Sequence, residues 1–425
     1  MNTKEIINEL KKGSYDERLK DVYVDEKLLS YQRNRYIQAV ERFIELYGQC
    51  EVSIFSAPGR SEVCGNHTDH QKGEILAASI NLDAVGIVAS SDDDTVKIVS
   101  DGYDEICIDI DDTAFEKSKE GTTEALIKGI LAAVKDKGYK TGGFKAYITS
   151  DVLIGAGLSS SAAFEVLTGT IISHLFNDGS IDAVTIATIG QYAENVFFGK
   201  PCGLMDQMAC SVGNLVHVDF DKPLSDSMEK IDFDLNRYGY CLCITDTKGS
   251  HADLTHEYAA IPLEMASVAA YFGKEVLRGI TFKDIMMNIA DLRRSCSDRA
   301  ILRAIHVIME NERVEACVKA MRADDPKTFL SCIKESGDSS FKYLQNVFCS
   351  SDPSDQSVSL ALAVSEALLG ENGVSRVHGG GFAGTIQAFV KEEHVDTYLK
   401  GMDRLFGEGA CKVLKIRKYG GIRIL

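Results

Sequence analysis

The chain is poor in proline, in ordered cysteine spacing and in positive charge. Only six prolines occur in 425 residues, which excludes long Pro-rich linkers as an organising feature. Twelve cysteines are present, scattered from Cys50 to Cys411, and no C-x-x-C pair occurs. That spacing excludes a zinc ribbon and offers no disulfide framework, so free thiols in a reducing cytoplasm are expected. No apolar run approaches the roughly 18 residues of a membrane span. The N-terminal stretch MNTKEIINELKKG has no apolar core of signal-peptide length. Lys and Arg total 46 against 63 Asp and Glu, a net charge of −17. Phosphate backbones and anionic membrane surfaces would repel such a chain, so neither nucleic acid nor membrane is expected as a partner.

What remains is an ordinary globular composition, 45% hydrophobic and 26% charged. At roughly 100–200 residues per domain, the length suggests two or three domains. Periodicity predicts an amphipathic helix over 31–47, with Ile37, Val40, Phe43, Ile44 and Tyr47 on one face. A short strand over 52–55 ends where Ala57-Pro58-Gly59 breaks the pattern. Residues 80–112 alternate at period two and read as strands, with Asp92-Asp93-Asp94 as a hairpin tip. A helix over 123–137, a strand over 144–148 and a helix from about Ser161 follow. Residues 183–198 read as helical, 215–220 and 240–245 as strands, and the chain to about 348 as mostly helical. Strands return at 385–390 and 413–416.

Four segments carry candidate chemistry. The first is Gly155-Ala156-Gly157-Leu158-Ser159-Ser160-Ser161, a strand–glycine loop–helix junction. Backbone N–H groups at such a junction can cradle phosphate oxygens, and a serine hydroxyl can ligate Mg²⁺. A Ser-rich helix cap is the plain alternative. The loop lacks the Lys of a Walker A motif and so is no P-loop. The second segment, from Ala57 to Gly73, packs Arg60, Asn66, His67, Asp69 and His70 between glycines. Such a cluster suits a polyhydroxy ligand. A metal on His67, Asp69 and His70, or a purely structural loop, stays open. In the third, Lys200-Pro-Cys-Gly-Leu-Met-Asp206-Gln, Asp206 is a general-base candidate or a partner for Arg60, and otherwise a helix N-terminal acid. Glu194, upstream, is a candidate Mg²⁺ ligand or a solvated helix acid. The fourth, Val377-His-Gly-Gly-Gly-Phe-Ala-Gly384, implies tight backbone apposition before a strand.

Taken in order, A-P-G-R…G-x-H-x-D, G-A-G-L-S-S-S-A-A, C-G-x-M-D-Q and G-G-G-F resemble the GHMP sugar and isoprenoid kinases, and within them the galactokinase family. The similarity runs from about residue 52 to 418. It implies an α+β, two-lobed GHMP kinase fold, with an N-terminal lobe like ribosomal protein S5 domain 2 and a ferredoxin-like C-terminal lobe. The active site would lie in the cleft between them. A composition shift near 230–240 places the lobes at 51–235 and 236–425, after a helical extension over 1–50. The resemblance makes Asp206 and Arg60 the catalytic pair and Gly155 to Ser161 the ATP site. Ser160 or Ser161, with Glu194, would ligate Mg²⁺. His67, Asp69 and Tyr258 match sugar-contacting positions, as does Asn66. Residues 379–382 would buttress the phosphate site.

The chain departs from the galactokinase pattern in places. The usual Gly-Glu-His-x-Asp-Tyr reads Gly65-Asn66-His67-Thr68-Asp69-His70. In the family that Glu contacts the hydroxyl at C6. A neutral Asn66 therefore suggests a pocket that accepts a C6 carboxylate, as in galacturonate, because like-charge repulsion is removed. His378 replaces a hydroxyl residue before the glycines, and Ala259-Ala260-Ile261-Pro262 stands where a basic cluster is usual. A sugar 1-kinase using ATP and Mg²⁺ is the expected function, with galactose or galacturonate as acceptor. A non-catalytic sugar and ATP sensor is the competing class, and a mevalonate-type kinase would leave the sugar-type segment unexplained. Monomer and weak dimer both stay open.

Overall fold

A near-continuous run of small and apolar residues, as over 75–89, lets one sheet bury both faces. The computed structural model describes residues 1–152, 157–224, 226–249 and 254–425. Its strands in chain order are β1 (Ser53–Cys64), β2 (Glu74–Ser90), β3 (Thr95–Ser100), β4 (Ile106–Asp109), β5 (Phe144–Ser150), β6 (Leu215–Asp219), β7 (Met228–Ile231), β8 (Tyr240–Asp246), β9 (Gly373–His378), β10 (Thr385–Lys391), β11 (Cys411–Leu414) and β12 (Ile422–Arg423). The larger sheet runs β12-β1-β2-β5-β3-β4, with β6 and β7 added along the other end of β2. On β2, Ala84 and Val88 face helices Thr123–Asp136, Ser160–Phe176 and Ala183–Tyr192. Val85, Ile87 and Ala89 face the opposite way, onto helices Thr3–Lys12, Asp16–Tyr23 and Leu29–Tyr47. The N-terminal 50 residues are thus the cover of one sheet face rather than an appendage.

The smaller sheet is antiparallel, in the order β11-β8-β10-β9. Helices Asp298–Arg322 and Pro326–Ser339 pack against it through Val314, Cys317, Phe329 and Ile333, which share one core with Leu76, Ile80, Leu242 and Phe389. The two sheets therefore meet in a common apolar interior. The chain passes from the first to the second between Ile231 and Tyr240, and β12 returns to pair with β1 at Phe55 and Ser56.

Two elements differ from the sequence reading. β1 does not stop before Pro58 but runs on to Cys64. Its pairing with β2 shifts register between Pro58 and Arg60 and again between Glu62 and Cys64, and bulges of this kind accommodate Pro and re-aim side chains. The 183–198 helix divides into an α-helix over Ala183–Tyr192 and a wider π-helical turn over Ala193–Phe198. Such turns recur at functional sites.

Candidate active site

The bulged part of β1 aims Arg60 at the centre of the site. Its backbone N–H donates to Leu158 O at 3.1 Å. Its guanidinium donates through Nε to Asp206 Oδ1 at 2.7 Å and through Nη1 to the Gly157 carbonyl. Asp206 lies in the first turn of helix Met205–Val212, and its side chain remains 29% exposed. The Ser159 hydroxyl donates to its second oxygen. Ser159 holds a left-handed backbone (φ 60°), and helix Ser160–Phe176 begins at the next residue. Three separate motifs thus converge on one carboxylate. Burial pushes the Asp206 carboxyl up, but Arg60, Ser159 and Lys200 outweigh it, and the group stays below the usual carboxylate value. Gly155 and Ala156 lie outside the described residues. Gly157, Leu158, Ser159, Ser160 and Ser161 lie at the site.

Beside this centre is an oxygen-rich corner. Ser161 Oγ donates to Glu194 Oε1 at 3.2 Å, and Lys200 Nζ donates to the same oxygen at 3.0 Å. Gln207 Nε2 bridges Glu194 Oε2 at 2.8 Å and Glu165 Oε2 at 3.0 Å. Glu194 rides on the π-helical turn and is buried, so the solvated-acid reading fails. Ser161, rather than Ser160, reaches it. Burial and the nearby Glu194 charge push the Glu165 carboxyl well up, and Glu165 Oε1 is left without a hydrogen-bond partner. A hydroxyl and a carboxylate at this spacing, with an orphaned buried oxygen behind them, suit a hard cation that takes oxygen ligands.

The remaining predicted residues lie along the Gly-rich turn after β9. His67 Nε2 donates to Gly380 O at 3.1 Å, which fixes the neutral Nε2–H tautomer. Burial pushes its pKa down to about 4. The Tyr258 hydroxyl donates to Gly381 O at 2.9 Å, and its ring meets Phe382 edge-on at 5.4 Å. Asp69 lies against the loop that leads to Asp206, because a Cβ added to Gly203 would sit 1.6 Å from Asp69 Oδ2. Among the described residues His67, Asp69 and His70 form no metal-holding cluster.

Asn66 corrects the sequence reading. It is fully buried. Its Nδ2 donates to Glu62 at 2.9 and 3.2 Å and to Gly379 O at 2.7 Å. Its Oδ1 accepts from Asn346 at 2.8 Å and Ser340 at 3.3 Å. Both amide hydrogens and the oxygen are taken, so the amide has nothing left to offer a sugar carboxylate.

Residues 125–214 match the family model described as GHMP kinases N terminal domain, and residues 41–90 match the galactokinase galactose-binding signature. The galactokinase of Streptomyces coelicolor is 30% identical over 377 residues, covering 88% of this chain and 94% of that one. The galactokinase of Clostridium tetani is 29% identical over 381 residues, covering 88% and 93%. The chain belongs to the galactokinase family. In fold, the Lactococcus lactis galactokinase solved with galactose superposes with a TM-score of 0.78 at 24% identity, over 90% of this chain and 98% of that one. Methanococcus jannaschii mevalonate kinase superposes at 0.60 and 14% identity, over 86% and 98%. The fold is that of the GHMP kinases.

Several residues of this galactokinase-family site were not foreseen. Glu62 and Arg376 form a fully buried pair at 2.7 Å that joins β1 to β9. Burial lifts the Glu62 carboxyl to about 6 despite Arg376. His378 accepts at Nε2 from Glu62 N at 3.2 Å and is paired at Nδ1 with Thr385 at 2.9 Å, so it is a neutral strut between the lobes. Glu310 accepts from Gly65 N at 3.1 Å and Asn66 N at 3.4 Å, and holds the sugar-type segment from behind. An acid directly before Val63 and Cys64, within a strand buried along nearly its whole length, is the one legible signal, at Glu62. The contact of Asp69 with Gly203 gives a testable consequence. Gly203→Ala displaces the Asp69 carboxylate and raises the sugar KM about tenfold or more, the size of one lost charged hydrogen bond, while the ATP KM changes little. Unchanged sugar KM in steady-state assays would remove Asp69 from the sugar site.

Proposed function

We propose that the chain transfers the γ-phosphoryl group of ATP to the anomeric hydroxyl of galactose, giving galactose 1-phosphate. The observation that carries this reading is the single carboxylate, Asp206, held at once by Arg60 from the sugar-type segment and Ser159 from the glycine loop. A hydroxyl and a phosphoryl group delivered by those two segments would meet there. Phosphoryl transfer needs positioning and charge stabilisation more than covalent chemistry from the protein. Asp206 orients the hydroxyl and takes its proton as the phosphorus–oxygen bond forms. Arg60 balances the charge that gathers beside it. Helix Ser160–Phe176 points its free N–H groups at the phosphates. Ser161 and Glu194 would hold Mg²⁺, which when bound neutralises phosphate charge. Free thiols at all twelve cysteines fit a cytoplasmic location.

The galacturonate reading loses its basis with the Asn66 amide occupied, and galactose is the preferred acceptor. An intact Arg60–Asp206 pair also argues against a non-catalytic sensor. Coupled ADP production with Mg-ATP against galactose, galacturonate, glucose, N-acetylgalactosamine and arabinose tests this. Turnover with galactose and little with galacturonate is expected. Turnover with galacturonate alone would overturn the substrate, and ATP binding without turnover of any sugar would revive the sensor.

A further inference from the structure

In the first turn of helix Thr255–Tyr271 a buried carboxylate sits among an imidazole, a thiol and a hydroxyl. Glu257 is only 4% exposed. Its Oε1 accepts from Cys349 Sγ at 3.4 Å and from Ser350 Oγ at 3.0 Å, and His256 Nε2 lies 3.7 Å away. Among the described residues, His256 is the one ion-pair partner of this carboxylate. Burial pushes the Glu257 carboxyl up, but Ser350, Cys349, Arg299 and His256 outweigh it and hold the group below its ordinary value. The imidazole nitrogen, the carboxylate oxygen and the thiol sulfur all lie within 4.8 Å of one another. Cys349 is buried in the apolar cluster of Leu254, Ile261 and Phe382. The His256 side chain is 64% exposed, so the donor set has a solvent side.

We infer that His256, Glu257 and Cys349 form a binding site for a divalent cation of the zinc class, separate from the Ser161–Glu194 corner. A tetrahedral zinc ion holds sulfur at ~2.3 Å and nitrogen and oxygen at ~2.0 Å, which sets neighbouring donors about 3.3–3.6 Å apart. The observed separations of 3.4 and 3.7 Å are close to those edges. Rotation of the exposed His256 closes the site with little movement of the buried pair. One imidazole, one carboxylate and one thiolate leave the fourth position to water, and the thiol proton passes to solvent as the metal–sulfur bond forms. A thiolate ligand disfavours Mg²⁺, which takes oxygen donors, so the two sites select different ions. Outer partners are already in place. Ser351 Oγ lies 2.8 Å from Cys349 Sγ, and Arg299 Nη1 donates to Ser350 Oγ at 3.4 Å. Both stretches that supply ligands also grip the Gly-rich turn after β9. Tyr258, next to Glu257, donates to Gly381 O at 2.9 Å, and Asn346, three residues before Cys349, donates to Gly380 O at 3.1 Å. A bound ion would tie these two stretches to each other directly.

Titration of the metal-free full chain with Co²⁺ and Zn²⁺, in excess Mg²⁺, tests the site. Co²⁺ should give tetrahedral d–d bands and a sulfur-to-cobalt charge-transfer band, and Zn²⁺ should displace it at one ion per chain. Cys349→Ser should abolish the charge-transfer band, and both Cys349→Ser and His256→Ala should weaken Zn²⁺ by about a hundredfold or more, beyond what loss of an outer partner does. Zn²⁺ should raise the Tm of the wild type and leave that of His256→Ala, altered only at an exposed ring, unchanged. Zn²⁺ affinity and the cobalt spectrum preserved in both variants, or a wild type that binds no Co²⁺ through sulfur, would overturn the site.

Discussion

Asp206→Asn lowers kcat by about 10²- to 10⁴-fold, the range for a positioned proton acceptor, while the protein remains folded. The substitution keeps the shape and one acceptor oxygen for Arg60 Nε. It removes the negative charge that Arg60 faces at 2.7 Å and the oxygen that accepts from Ser159. The sugar hydroxyl then has no anion to orient it or to take its proton. Stability should fall modestly, because the Asp206 side chain is 29% exposed, although Arg60 is buried and keeps only the Asn oxygen and the Gly157 carbonyl as acceptors. ATP affinity should change by a small factor, since the loop is also held by Arg60 at Gly157 and Leu158.

The pH profile carries a second part of this prediction. Asp206 is held below its ordinary carboxylate value by Arg60, Ser159 and Lys200 against the effect of burial. It is therefore ionised throughout the neutral range, and activity that depends on the anion is lost only as pH falls through that depressed value. The acid limb of kcat should lie below the ordinary carboxylate value of about 3.9. A depressed pKa also makes Asp206 a weak base in the ground state. Proton transfer then accompanies phosphoryl transfer rather than preceding it, consistent with a loose transition state. An Asp206→Asn enzyme with more than a tenth of wild-type kcat would remove Asp206 from the chemistry.

The parts of this site legible in the sequence are those whose meaning is local. Glycines and serines at 157–161 define a loop and helix start by themselves, because φ > 0 and exposed N–H groups are properties of a few adjacent residues. The helix over 29–47 shows in its own periodicity. Arg60 and Asp206 were legible as candidates, but their contact spans 146 residues of chain, and only the fold brings them together. Asn66 shows the limit. Its residue type suggested a role toward the sugar, yet its partners Gly379 and Asn346 lie 313 and 280 residues away. No spacing rule reports that a polar side chain is already satisfied from the other lobe. β1 was cut short for a related reason. Proline breaks a strand unless a bulge frees its place in the ladder, and that bulge is a property of the pair with β2.

Asp83→Ala destabilises the protein by about 3–5 kcal/mol, the effect of stranding buried charges. Asp83 has no exposure, and neither does Arg417. Arg35 contacts its Oδ1 at 2.7 Å and Arg417 its Oδ2 at 3.0 Å, while Tyr23 and Ser56 also donate to Oδ2. One carboxylate thus ties together the N-terminal helices, the central strand β2 and the C-terminal tail. Removing it leaves two guanidinium groups facing each other away from water. That loss is a large share of the roughly 5–15 kcal/mol that a typical domain has. Asp83→Asn should cost less than Asp83→Ala, because the amide oxygen still accepts a hydrogen bond, although Arg417 loses its carboxylate partner and Arg35 keeps only Asp151, at 2.9 Å. Burial pushes the Asp83 carboxyl up, yet Arg35 and Arg417 hold it below its ordinary value in the folded protein. Its contribution is therefore complete above the unfolded-state value and disappears as pH falls through the folded one. Wild-type stability should fall on that acid limb, and Asp83→Ala should be low at neutral pH with a shallower acid slope. Arg35→Met combined with Asp83→Ala should recover part of the loss, since one stranded cation is gone. Thermal and urea unfolding of the three variants decide the matter, and an Asp83→Ala protein as stable as the wild type would show that the arginines find other partners.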